Sequence, residues 1–363
     1  MRKVEISTAG FGYMGKIHTI AYRSMPICYK NFEYDIVLKR LITSQKLSNT
    51  IYEDTAEDIE SIGDTYIADI CTPNFMHSTQ IKKLINMGVK NIYCEKPLAG
   101  DYEEEEKLVS ITEKNGVKNQ IGFVYRFLPA VIRGKKIIEE GVIGDVIRFN
   151  CHMYHQSYLN PMKPISWRLK KNQSGGGALV DLGIHMIDLI HYILGPITNV
   201  NGHTKTYINK RPYGNCMEDV DVDDFAHLDL TVNGCINGTL EVSRVAAGKG
   251  EDTLIEIFGT KGSVRIQTSQ PEIPSVYILK NNTWIDGQQF TFKEVEEDIN
   301  TIWPSSKLSL GWMVNCHMAS LYSFIASTFG KKFNYIQLPT FNSSKEAMKI
   351  IKSVYDNDAH FLQ

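Results

Sequence analysis

Gly10-Phe11-Gly12-Tyr13-Met14-Gly15 follows the apolar run Val4–Ser7 and opens a helical pattern through Ile17 and Tyr22. Three glycines in six residues, at the first strand-to-helix junction, match G-x-G-x-x-G. Each has a task. Gly10 permits a tight turn, Gly12 leaves room for a pyrophosphate against the backbone, and Gly15 lets helix and strand approach closely. The free N–H groups and positive dipole end of the helix suit a diphosphate. Phe11, Tyr13 and Met14 complete this expected dinucleotide-binding turn.

Outward from the turn, Ile36–Thr43, Tyr66–Cys71 and Ile92–Cys94 read as further strands. Helices are expected from about Ser78 to Met87, and from a cap at Asp101 to about Asn115, before Gln120–Val124 closes the unit. Strand–helix alternation with short loops predicts an α/β Rossmann domain, a doubly wound parallel sheet, over residues 1–125. The acidic run Glu103–Glu106 complements a helix N-terminus and is expected to face solvent. Past Pro129 the pattern changes. A helix over Ala130–Glu140, an alternating run Val146–Tyr158 and a helix from about Asp181 to Leu194 precede a strand-rich stretch, Thr198–Leu279. Helices at about Trp312–Phe329 and Ser343–Tyr355 finish the chain, so residues 126–363 predict an α+β C-terminal domain with a large, mostly antiparallel open sheet.

Composition bounds the partners. A chain of 363 residues suggests two domains. The formal net charge of −2 gives no electrostatic reason to expect nucleic acid or an anionic membrane. The charged start Met1-Arg2-Lys3 is not expected to be a signal peptide, and no stretch is expected to reach the roughly 18–20 apolar residues of a membrane span. Seven cysteines without a C-x-x-C read as free thiols of a reducing, cytoplasmic location. His152 and His155, three apart on a strand pattern, face opposite sides, and no metal site is expected.

The acidic residue that usually binds the adenosine ribose is missing from Lys39-Arg40-Leu41-Ile42-Thr43-Ser44-Gln45-Lys46. Ser44 and Lys46, with Arg40, suit a 2′-phosphate, so NADP is favoured over NAD. The alternative is a surface polar cluster, with the ribose held by backbone groups. In open α/β sheets ligands bind beyond the carboxyl ends of the strands, where Gly10, Thr72-Pro73-Asn74 and Glu95-Lys96-Pro97 all lie.

Further motifs are more specific. Cys71-Thr72-Pro73-Asn74 with His77, then Cys94-Glu95-Lys96-Pro97-Leu98, precede Gly175-Gly176-Gly177-Ala178-Leu179-Val180-Asp181-Leu182-Gly183-Ile184-His185-Met186-Ile187-Asp188. With Gly122-Phe123-Val124-Tyr125-Arg126-Phe127 and Trp167-Arg168, the set resembles the glucose–fructose oxidoreductase and inositol dehydrogenase (Gfo/Idh/MocA) family over nearly the whole chain. The resemblance implies an NAD(P)-dependent oxidoreductase acting on a carbinol or carbonyl carbon of a sugar, inositol or related polyol. It also implies a homodimer or homotetramer, assembled through the open sheet. Lys96 takes the family's active-site lysine position, and Asp181 and His185 the positions flanking the substrate. Thr72, Pro73, Asn74, His77, Glu95 and Lys96 join the glycine turn as cofactor residues; Tyr125, Arg126, Trp167 and Arg168 join Asp181 and His185 around the substrate.

Hydride transfer needs a proton handler beside the reacting carbon. Asp181 and His185, four apart on a helical pattern, share a face. A neutral imidazole accepts a proton near physiological pH, and a carboxylate orients it. His185 is therefore expected as general base, Lys96 as hydrogen-bonding partner of the substrate oxygen, and Asp181 as orienter, all serving one nicotinamide ring. His191 reads as structural, and His317 as a further pocket candidate. Two other readings are an NAD-dependent glycosidase using transient oxidation and a non-catalytic dinucleotide-binding sensor.

Overall fold

A computed structural model describes residues 1–47 and 50–361, the last three by backbone alone. The chain divides into two compact units, Met1–Phe127 with Glu296–Lys345, and Leu128–Val295 with Glu346–Gln363. The single boundary expected between residues 125 and 126 is thus only the first of three crossings.

In the first unit β1 (Arg2–Ala9), β2 (Tyr34–Ile42), β3 (Asp54–Ala56), β4 (Ile67–Ile70), β5 (Asn91–Cys94) and β6 (Lys118–Ile121) form one sheet, ordered β3-β2-β1-β4-β5-β6. Every pair in it is parallel. Helices α1 (Tyr13–Cys28), α2 (Asn74–Asn86) and α3 (Tyr102–Lys114) connect the strands. This is the expected doubly wound sheet. β4 is buried along its whole length, which is why it reads as an apolar run broken only by Asp69. Strand order reverses between β1 and β4, so the loops after β1, β4 and β5 border the ligand crevice of such sheets. Asp101 caps α3 as expected, accepting from the Glu104 N–H at 2.9 Å. The acidic run behind it does not wholly face solvent. Glu105 is completely buried, accepting from the N–H groups of Ala99 and Gly100 at 2.9 and 3.2 Å.

The second unit opens with α4 (Pro129–Glu139), β7 (Val146–Tyr154) and the single turn α5 (Lys171–Ser174). A widened helical turn, Leu179–Gly183, leads into α6 (Ile184–Leu194). Then come β8 (Ile197–Lys205), the hairpin β9 (Lys210–Tyr213) and β10 (Cys216–Asp219), β11 (Phe225–Val232) and β12 (Ile236–Ser243). β13 (Asp252–Gly259), β14 (Gly262–Gln267), β15 (Ser275–Ile278) and β16 (Thr283–Asp286) complete an eight-stranded sheet, β16-β15-β14-β13-β7-β12-β11-β8. Only the β7–β12 pair is parallel, in agreement with the mostly antiparallel sheet expected. Burial alternates along β11 and β12, so one face carries Leu228, Leu230, Leu240 and Val242 into the core. α4 seals that face, Gly134 lying so close to Ile266 that a Cβ would fall 2.6 Å from its Cδ1.

Contrary to expectation, one helical stretch, Lys171–Leu194, is long and apolar enough to cross a membrane, with a mean hydropathy of 1.4. Its apolar part follows the glycines, from Ala178 to Leu194, and 89% of the apolar window is buried, which makes it a core helix. α7 (Lys293–Ile302) carries the chain back into the first unit, where α8 (Trp312–Thr328) lies; α9 (Phe341–Phe361) returns it to the second.

Candidate active site

The glycine turn has the shape its sequence demands. Gly10 adopts φ +97°, and a Cβ there would sit 2.7 Å from the Cys71 carbonyl oxygen. A Cβ on Gly15 would fall 2.1 Å from the Gly10 oxygen. Gly12 is different: nothing lies within 4 Å of where its Cβ would be. It caps the N-terminus of α1, which has no side-chain cap and no acidic residue in its first turn. Uncapped N–H groups behind an open glycine fit a diphosphate, so these residues suit a dinucleotide. Tyr13 is exposed and Met14 half-buried. Gln45, which the motif did not single out, donates from Nε2 to the Phe11 carbonyl at 3.2 Å.

At the end of β2, Ser44 and Lys46 are exposed, as a phosphate-binding role requires. Arg40 is withdrawn from that role. Its guanidinium donates to Asp54 at 2.9 Å and to the Ser61 carbonyl.

The loops after β4 and β5 are tied together. The buried His77 ring lies between the Thr72 carbonyl, 2.8 Å from Nε2, and the Pro97 carbonyl, 3.0 Å from Nδ1. Burial lowers its pKa. This corrects its expected place as a cofactor contact: both ring nitrogens face backbone. Thr72 donates to Gln80 at 2.7 Å, Pro73 precedes the first turn of α2, and Asn74 opens it. Lys96 is half-buried and precedes a cis peptide bond to Pro97.

Glu95 also departs from expectation, because its carboxylate turns into the core of the first unit. His18 on α1 donates to it from Nε2 at 3.1 Å, and the Nδ1 side of the same ring meets both Asp69 oxygens at 3.0 Å. Nδ1 of His317, on α8, lies 3.2 Å from His18 Nε2 and 3.9 Å from Glu95. A Cβ on Gly122 would come within 2.6 Å of the Glu95 carboxylate, so glycine there makes its space. Burial works against a charged His18, yet Asp69 outweighs it and holds the imidazole well above its ordinary pKa. Burial would raise Glu95, but the hydrogen bond and charge of His18 bring it down to about 2. Burial takes His317 down to about 3, leaving it neutral. The donor atoms of His18, Glu95 and His317 are close enough for a metal ion. They already bond one another around an imidazolium. His317 thus serves Glu95 rather than a pocket. His18 and Asp69 were overlooked in sequence. The signal was there: a histidine on the sheet-facing side of α1, and an aspartate inside the apolar run of β4.

Tyr125 and Arg126, expected around the substrate, are both buried in the first unit, with the Tyr125 ring 5.7 Å from that of Trp312. The second unit carries Asp181 in the widened turn and His185 in the first turn of α6; Asp181 is half-buried and His185 is 8% exposed. Asp223, also missed, starts this helix. Its carboxylate accepts from the N–H groups of Gly177 and Leu179 at 2.9 and 2.8 Å, and from the Tyr355 hydroxyl at 2.6 Å. Trp167 and Arg168 share one helical turn, the guanidinium 4.4 Å from the indole centroid.

Two family models match in tandem: an oxidoreductase family with an NAD-binding Rossmann fold over residues 4–123, and a GFO/IDH/MocA C-terminal domain over 131–265. Levoglucosan dehydrogenase of Pseudarthrobacter phenanthrenivorans is 32% identical over 288 residues, 73% of each chain. The chain belongs to the Gfo/Idh/MocA oxidoreductase family. A solved Gfo/Idh/MocA relative, levoglucosan dehydrogenase in complex with NADH and L-sorbose, matches with a TM-score of 0.89 at 27% identity, covering 99% of this chain and 98% of that one. The scyllo-inositol 2-dehydrogenase (NAD(+)) of Bacillus subtilis is 30% identical over 233 residues, 64% of each chain. As a Gfo/Idh/MocA member the protein is an NAD-binding oxidoreductase, and the turn at Gly10–Gly15 lies within the matched NAD-binding Rossmann segment.

Proposed function

We propose that this enzyme oxidises or reduces a carbinol or carbonyl carbon of a sugar, inositol or related polyol, with Lys96 and His185 handling the proton. The open Gly12 at an uncapped helix N-terminus carries the reading, because it leaves free N–H groups and room where a dinucleotide's diphosphate would sit. The bound nicotinamide supplies or accepts the hydride. In the oxidative direction, the Lys96 ammonium donates a hydrogen bond to the substrate hydroxyl oxygen and favours its deprotonation. His185 takes the proton, and Asp181, on the same helical run, orients the imidazole or a neighbouring hydroxyl. NADP is the favoured cofactor in this proposal, with Ser44 and Lys46 at the 2′-phosphate. Assembly as a homodimer or homotetramer through the open face of the large sheet, in the cytoplasm, belongs to the same reading.

The test is a reduced-nicotinamide absorbance assay with NAD and NADP against sugars, inositols and their keto forms. Lys96→Ala and His185→Ala are each expected to lower kcat about 10²- to 10⁴-fold, while binding of the reduced cofactor, read by fluorescence titration, persists. Near-normal turnover in both variants discards the residue roles. A higher kcat/KM with NAD discards only the part resting on Ser44 and Lys46.

A further inference from the structure

In the second unit, three cations converge on one aromatic ring. Lys163 Nζ lies 3.9 Å from the Tyr158 ring centroid, and the guanidinium carbons of Arg244 and Arg211 lie 4.9 and 5.7 Å from it. Arg168 is within electrostatic reach of Lys163. The chain brings them together from separate places. Tyr158 and Lys163 follow β7, Arg211 is on β9, and Arg244 comes directly after β12, the strand paired in parallel with β7.

This is not an ordinary solvated patch. Arg211 is 0% exposed and Arg244 is 2% exposed. Arg211 donates from Nη1 and Nη2 to the carbonyls of Asn160 and Tyr158 at 2.7 and 2.5 Å, yet its Nε has no hydrogen-bond partner among the described residues. Arg244 goes further: both Nε and Nη1 are buried without a partner there. Burying an unpaired guanidinium N–H is costly, and like charges gathered round one ring add to the cost. Stacking on Tyr158 offsets only part of it. Burial pushes the Lys163 pKa down, and Arg211, Arg168 and Arg244 push it down further, whereas Asp181 acts the other way. The second acid facing the group, Asp224, is occupied in accepting from the N–H groups of Tyr207 and Ile208 at 2.9 Å.

Donors left unsatisfied in a desolvated, cationic corner suit an anion. The planar guanidinium fork matches carboxylate and phosphate oxygens. Asp181, proposed above to orient the reacting group, lies within electrostatic reach of the same corner. We propose that Lys163, Arg168, Arg211 and Arg244 bind an anionic substituent, a carboxylate or phosphate ester, on the substrate, which makes this enzyme's substrate class acidic sugars or cyclitols rather than neutral ones. The inference rests on the dehydrogenase reading for the word substrate, but not for the anion site itself.

The experiment is calorimetric titration of the enzyme, loaded with NADH or NADPH according to the cofactor comparison above, with inorganic phosphate, glucose, glucose 6-phosphate and glucuronate, followed by the three sugars as substrates. A charged sugar is expected to bind at least about tenfold more tightly than glucose, with affinity that falls as salt is raised. Phosphate and carboxylate arms separate the two anion chemistries. Arg244→Gln is expected to cost the charged ligands about tenfold or more and glucose much less, with NADH affinity unchanged. Lys163→Met, at a half-exposed position, repeats the comparison if the first variant fails to fold. Equal binding of charged and neutral sugars, no binding by any charged probe, or variants that weaken all ligands alike overturn the proposal. Tight anion binding without turnover of any sugar leaves the anion site standing and removes the dehydrogenase reading. Turnover of neutral sugars without preference does the reverse.

Discussion

Glu105 shows how far a single residue departs from its sequence pattern. It stands third in the run Glu103–Glu106, where helix-dipole logic assigns every carboxylate to solvent. Glu103 and Glu106 obey and Glu104 is half-buried against Ser78 and Lys82, but Glu105 turns inward to the N–H groups of Ala99 and Gly100, and burial pushes its pKa up to about 7. The native state therefore holds this proton more tightly than an unfolded chain, whose glutamate titrates at 4.5. The stabilisation is fully present below pH 4.5 and is lost as pH rises through about 7. Glu105→Gln cannot ionise and escapes that loss. Urea melts at pH 5 and pH 8 are expected to show the variant gaining about 2–3 kcal/mol on the parent between the two. A difference independent of pH contradicts the assignment. Glu95 was misplaced for a related reason. Its motif marks a loop beside the cofactor crevice, but the side chain's direction is decided by His18 and by the missing Cβ of Gly122, neither of which a local pattern contains.

At the scale of elements, the run Gly175-Gly176-Gly177 was legible as a break before a helix, but its cause was not. A Cβ on Gly177 would fall 1.9 Å from the Asp223 carbonyl oxygen, and one on Gly176 would fall 2.2 Å from the Tyr355 hydroxyl. The glycines are there because Asp223 approaches from the strand side and Tyr355 from α9. Between them they cap the helix that carries Asp181 and His185. The widened turn at Leu179–Gly183 left no trace in the sequence, since its residues continue the apolar spacing of α6. Asp223→Asn keeps one acceptor and turns an amide donor toward the other N–H. It is expected to cost about 1–3 kcal/mol in a thermal or urea melt and to lower kcat more than tenfold, as the start of the helix shifts. Tyr355→Phe removes the hydroxyl's bond to Asp223 and the long one it accepts from the Gly177 N–H at 3.4 Å, and is expected to cost about 1–2 kcal/mol. NADH affinity is the control: equal loss of cofactor binding in Asp223→Asn indicates general unfolding and refutes a role through Asp181 and His185.

For the molecule as a whole, the parallel, doubly wound sheet of the first unit followed from its alternating pattern, whereas the short β3 and the unit's discontinuity did not. α8 is apolar almost all round, with Met318, Leu321, Phe324 and Ile325 buried, so its sequence announces burial without saying against what. The partners lie some two hundred residues upstream. Tyr93 on β5 meets Ser320 at 2.9 Å, Gln120 on β6 donates to the Ser320 carbonyl at 2.9 Å, and His317 lies beside Glu95. The same segment covers a sheet edge: Ile121 at the end of β6 donates to the Pro339 carbonyl at 3.1 Å, and the Asn119 side chain accepts from the Phe341 N–H at 2.8 Å. A fragment of residues 1–127 therefore exposes apolar strand surface and an unpaired edge, and leaves Glu95 without part of its cover. Such a fragment is expected to lack a cooperative melt in circular dichroism and to bind no NADH. Joining 1–127 to 296–345 through a glycine–serine linker is expected to restore both, since each contact named here lies within those two segments. A cooperative, NADH-binding 1–127 fragment contradicts the structural need for α8, and a fused chain that stays unfolded contradicts the division of the protein into these two units.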